Sequence, residues 1–161
     1  MDLCRIVAGH SLQSMNALTV VLCLLEDRTN MFVSAVLTPQ SQRRLLERVP
    51  PVHPTVYAHH VTLAYNPEPD VLARYRPLEG TRIKVPVTAV CVDDKGQAVL
   101  VGVDSENEYA HITISCAEGV APSYSNELLA AQRADLQHVN IFTLEAEVVI
   151  EPLVELIASK A

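Results

Sequence analysis

Two short segments of this chain carry the same chemistry: Tyr57-Ala58-His59-His60-Val61-Thr62-Leu63-Ala64 and Tyr109-Ala110-His111-Ile112-Thr113-Ile114-Ser115. Each sets a His and a Thr two residues apart inside an apolar run, and on a strand residues i and i+2 project from the same face. Each segment can therefore offer one imidazole and one hydroxyl to a shared site. Imidazole titrates near neutral pH, so one copy can take a proton while the other gives one. Two hydroxyls can donate hydrogen bonds to anionic oxygens. This set suits the cleavage of a phosphodiester without a metal.

The candidate site is thus His60 and His111 as the acid–base pair and Thr62 and Thr113 as phosphate ligands. With six His in 161 residues, one His-x-Thr alone carries little information. A second copy with matching apolar neighbours carries much more, within the false-positive risk of any motif. His59, beside His60, is expected on the opposite face of the strand and outside the chemistry. His10, His53 and His138 have no supporting context.

At these residues the chain resembles the 2H phosphoesterases, a superfamily named for two His-x-Thr/Ser motifs. The cyclic phosphodiesterase domain of plant and fungal tRNA ligases and the vertebrate myelin cyclic nucleotide phosphodiesterase are the members it looks most like. The likeness continues through Ser115-Cys116-Ala117-Glu118-Gly119-Val120-Ala121-Pro122 and into Asn126-Glu127-Leu128-Leu129. It covers about residues 31–150. The resemblance implies an α+β, bilobal fold of two pseudo-symmetric halves, with mixed or antiparallel sheets around a central cleft and helices outside. It also implies hydrolysis of a 2′,3′-cyclic phosphate to a 2′-phosphate, with no metal and no cofactor. On the same ground His111 is the base and His60 the acid; the residues themselves do not distinguish the two roles. A turn at Gly119 and Val120 could add backbone N–H groups for phosphate, and Tyr124 is a tyrosine able to stack on a base.

Composition narrows the partner. Apolar residues make up 49% and charged ones 19%, which argues for a folded core over disorder, and the length suits one domain. Net charge is −7. Proteins that grip long nucleic acid carry a basic stripe, so a long footprint is not expected. A nucleotide, or the terminal cyclic phosphate of an RNA 3′ end, fits better. Local positive charge could come from Arg43, Arg44 and Arg48, or from Arg74, Arg76, Arg82 and Lys84. Cys4, Cys23, Cys91 and Cys116 lack Cys-x-x-Cys spacing, and the apolar run 17–25 is too short to span a bilayer. A reduced protein of cytoplasm or nucleus is expected, with no membrane partner and with a separate RNA ligase or kinase as a candidate partner.

The elements must position the two motifs. Residues 1–30 are expected to form an N-terminal extension, helical over 11–27 and packed on a domain spanning 31–161. Residues 31–37 suit a strand, 38–48 a helix, and 60–65 the first motif strand. Residues 66–70 suit a loop. Strands are expected over 82–92 and 97–104 with a hairpin turn between them, and the second motif strand over 109–116. A helix over 123–133 and an alternating strand over 142–150 complete a mixed sheet packed with helices. Three functions fit these residues: hydrolysis of 2′,3′-cyclic phosphates in RNA repair or tRNA splicing; the same site acting on ADP-ribose cyclic phosphate, 2′,5′-oligoadenylate or a cyclic dinucleotide; and a non-catalytic nucleotide-binding adaptor.

Overall fold

A computed structural model describes residues 28–132, 136 and 142–153. The expected N-terminal helix and most of the extension lie outside the described residues. Strand β1 (Met31–Leu37) leads into helix α1 (Pro39–Arg48). Thr38 caps that helix by accepting from the Ser41 amide, and Pro39 sits in the first turn, where its missing N–H costs nothing. Strands β2 (Thr55–Val56) and β3 (His60–Tyr65) follow, then helix α2 (Pro69–Tyr75) and a 3₁₀ turn, Arg76–Leu78. Strands β4 (Arg82–Val92), β5 (Gly96–Val101) and β6 (His111–Cys116) precede helix α3 (Tyr124–Gln132) and strand β7 (Phe142–Pro152).

The seven strands form one sheet in the order β2-β6-β5-β4-β7-β1-β3. Every pairing among them is antiparallel, where a mixed sheet was also open from the sequence. Helix α2 starts at the last two residues of the expected loop, 66–70, and continues through a stretch with no element expected from the sequence. Its proline opens the helix at the first position, and Leu72 and Tyr75 bury against the core.

One face of the sheet is apolar from β6 through to β3. Val33, Ala35, Val61, Leu63, Val85, Val99, Ile112, Ile114, Leu144 and Val148 bury there with Leu45 of α1 and Leu72 of α2. Strict alternation on β7, with Phe142, Leu144, Ala146, Val148 and Ile150 buried, supplies its centre. A smaller cluster on the other face joins Leu128 and Leu129 of α3 to Cys91 and Ala98.

Candidate active site

The two ends of the strand order belong to one stretch of chain. Thr55 and Val56 pair with Cys116 and Ser115 of β6; the Tyr57 and Ala58 amides go on to donate to the Ile114 and Thr113 carbonyls at 2.9 and 2.8 Å. At Ala58 the backbone turns through φ +51, and the chain crosses to pair with β1 from His60 onward. Strands β3 and β6 thereby come within 8 Å of each other, Cα to Cα.

The crossing is held by a buried polar network. Gln97 of β5 donates through its amide to the Pro50 carbonyl at 3.0 Å and accepts from the Val52 amide and the Ser115 hydroxyl. The Ser115 hydroxyl in turn accepts from the His53 amide. Each group that reaches the interior here finds a partner, as burial of polar atoms requires.

Register places all four motif side chains on one face of the sheet, opposite the main core. His60 stands across from Val36 and Thr62 from Ser34; His111 stands across from Leu100 and Thr113 from Ala98. The four are half-buried, while Val61, Leu63, Ile112 and Ile114 point into the core. Each motif strand also carries a bulge at the residue after its Thr. Leu63 is the extra residue against β1, and Ile114 the extra residue against β5.

The bulges exchange partners. The segment ahead of the first motif supplies Ala58 and Tyr57 amides to the Thr113 and Ile114 carbonyls. The segment ahead of the second motif does the same in return: the Ser105 hydroxyl donates to the Thr62 carbonyl at 2.9 Å, and the Glu106 amide to the Leu63 carbonyl at 2.8 Å. Each lead-in thus supplies donors to carbonyls at the other motif's Thr and bulge.

The two histidines sit in different surroundings. His111 is partly buried, and its Nδ1 lies 2.7 Å from the Tyr109 carbonyl. A carbonyl only accepts, so Nδ1 carries the proton and Nε2 is left with its lone pair. Burial pushes the pKa of this imidazole down, against the opposing pull of the Tyr109 carbonyl. The His60 ring meets Phe32 edge-on, with centroids 5.8 Å apart, and stacks on the His59 ring at 4.4 Å. The two Nδ1 atoms are in hydrogen-bonding contact. His59 was expected on the opposite face; β3 begins at His60, so strand alternation does not govern His59.

Thr113 does not stand alone. Its Oγ1 lies 2.8 Å from the Ser125 hydroxyl and 3.3 Å from the Pro122 carbonyl, both at the start of α3. Ser125 is 1% exposed. Sequence reasoning passed over Ser125 and Gln97, since neither belongs to a motif and each acts through a partner distant in the chain.

The remaining candidates lie as follows. Gly119 takes φ +77 in a tight turn whose Val120 amide donates to the Ala117 carbonyl at 3.1 Å, so that N–H is used within the turn. The Tyr124 hydroxyl donates to Asp93 at 2.6 Å, and its ring packs on Gly96, where even a Cβ would come within 3.0 Å of the ring. The Asp93 carboxylate raises the phenol to about 12. Tyr65, by contrast, is 63% exposed on the motif face, its ring 6.3 Å from that of Phe32. Among the described residues no group of three or more His, Cys, Asp or Glu is gathered to hold a metal ion, and no helix is long and apolar enough to cross a membrane. Cys91 and Cys116 are buried free thiols.

A family model for the fungal tRNA ligase phosphodiesterase domain matches residues 66–157. The match covers more than half of the chain and contains the second motif, and it begins just past the first. The chain belongs to this family, a branch of the 2H phosphoesterases. No curated protein matches the chain.

Proposed function

We propose that the chain hydrolyses 2′,3′-cyclic phosphates, on nucleotides or at RNA 3′ ends, to 2′-phosphates by two-histidine acid–base catalysis without a metal. The observation that carries the reading is the His111 hydrogen bond to the Tyr109 carbonyl, which leaves Nε2 as a proton acceptor on the face that also bears His60. In this mechanism His111 takes a proton from water as the water oxygen bonds to phosphorus. The P–O3′ bond breaks on the opposite side, and protonated His60 delivers its proton to O3′. Thr62 and Thr113 donate to the non-bridging oxygens, where negative charge is concentrated in the transition state. The matched bulges and their exchanged partners support two related halves, each giving one His and one Thr.

The test is turnover of 2′,3′-cyclic mononucleotides in EDTA, with the 2′- and 3′-monophosphates resolved. The expected product is the 2′-phosphate. His60→Ala and His111→Ala should each lose about 10²-fold or more in kcat. Binding without turnover would mark the chain as an adaptor, and dependence on added metal would refute the mechanism.

A further inference from the structure

Four of the described basic residues fall into two contrasting pairs. Arg74 and Arg76 are taken up in surface ion pairs with Glu106, at 3.0 Å, and Glu79, at 3.7 Å. Arg44 of α1 and Lys84 of β4 instead meet across β7, where with Gln40, Ser41, Thr143 and Glu145 they line a groove of about 710 Å³. Arg44, at its wall, is held in place, with Arg48 beside it on the same Phe142 ring. The Arg44 guanidinium donates to the Thr143 carbonyl at 3.1 Å, and the Arg44 and Arg48 guanidinium carbons lie 5.8 and 5.3 Å from the centre of the Phe142 ring. Lys84 is paired with Glu145, an exposed contact of the kind that rearranges at little cost. Arg82 lies one register row away from Lys84, across from Glu147, so a third cation stands beside the groove in a chain of net charge −7.

This groove opens on the same sheet face as the motif residues. His60 pairs across to Val36, Val36 to Glu147, and Glu147 to Arg82, a single row of side chains spanning four strands. With neighbouring strands about 4.8 Å apart, β4, which carries the groove residue Lys84, lies about 14 Å from β3. A cyclic mononucleotide does not cover that distance; a few nucleotides of extended single strand do.

We infer that the groove between α1 and β4 binds internal phosphates of an RNA strand whose 3′-terminal cyclic phosphate occupies the His60–His111 site. The inference rests on the proposed activity for its orientation. The binding itself rests on the groove: Arg presents a planar fork of donors suited to phosphate, and the Lys ammonium has three donors of which Glu145 engages one. The contact is short, in keeping with an acidic protein that lacks a long basic stripe.

Two measurements test it with the full chain. The first is fluorescence anisotropy with a labelled single-stranded hexaribonucleotide ending in a plain 3′-hydroxyl, which reports the groove whether or not the chain is a hydrolase. Arg44→Gln with Lys84→Gln should weaken binding about tenfold and lower the slope of log K against log salt by about 1.4, two single-strand phosphate contacts at about 0.7 each. The second is turnover of the same hexamer ending in a 2′,3′-cyclic phosphate beside the cyclic mononucleotide. The double variant should raise KM for the hexamer about tenfold and turn over the mononucleotide as the wild type does. Unchanged hexamer binding and salt slope would overturn the groove. Equal losses on hexamer and mononucleotide would overturn it as well, because the defect would then lie at the site. A wild type that turns over neither substrate yet binds the hexamer through Arg44 and Lys84 would sink the catalytic reading and leave the groove standing.

Discussion

The Thr113 hydroxyl lies 2.8 Å from that of Ser125, a side chain 1% exposed at the start of α3. When Ser125 is the donor, the Thr113 hydroxyl donates to the Pro122 carbonyl at 3.3 Å, a long contact that a bound phosphate oxygen can replace while Ser125 holds the Thr113 oxygen in position. Ser125→Ala should then lower kcat about tenfold, less than the 10²-fold or more expected when an oxyanion donor itself is removed, with KM little changed. Ser125→Thr, which keeps the hydroxyl, should restore most of the loss. A melting curve separates this from simple damage, since one lost hydrogen bond costs about 1 kcal/mol.

The pH profile follows from His111. Burial holds its pKa below the ordinary histidine value, so the neutral imidazole that accepts a proton persists to lower pH. The acid limb of kcat/KM should accordingly lie below pH 6.5. Stability should follow the same group. Between the lowered folded value and the unfolded one near 6.5, the unfolded chain binds more protons, so stability falls as pH drops through that window. Urea midpoints at pH 7.5 and 5.5 should differ less in His111→Gln than in the wild type.

Gln97 is the hub of the connection between the motifs. Gln97→Leu fills a similar space and leaves the Val52 amide, the Pro50 carbonyl and the Ser115 hydroxyl without their partner. The expected loss is about 1–3 kcal/mol in denaturant unfolding. Turnover should fall at temperatures where the variant is still folded, because the segment that carries His60 to its place is the one released.

Tyr65 is the exposed ring of the motif face, across Phe32 from His60. Stacking of a base on an aromatic ring is worth about 1–3 kcal/mol. Tyr65→Ala should raise KM for cyclic nucleotides about tenfold or more with kcat held, whereas Tyr124→Phe should act on the turn at Asp93 and on stability instead.

Much of this was written in local pattern. The alternation of residues 142–150 and the His-x-Thr repeats marked their strands because a half-buried strand repeats every two residues. Asp93-Asp94-Lys95-Gly96 marked the hairpin between β4 and β5, with Asp93 accepting from the Lys95 and Gly96 amides. The start of helix α2 was hidden by Pro67 and Pro69, which signal a loop by composition, although Pro69 opens the helix by position. The pairing of residues 55–58 with β6, the bulges at Leu63 and Ile114, and the partnership of Thr113 with Ser125 had no signature in the sequence. Each is decided by which strand edge a segment meets, and neighbours in space are not neighbours in sequence.

The exchange of hydrogen bonds between the two bulges makes the motifs interdependent. Ser105 reaches back 43 residues to serve Thr62, and the return contacts from Tyr57 and Ala58 span a comparable length. Each histidine strand draws part of its hydrogen bonding from the lead-in of its counterpart. A fragment carrying one repeat alone would own its residues without the donors that the other repeat lends them.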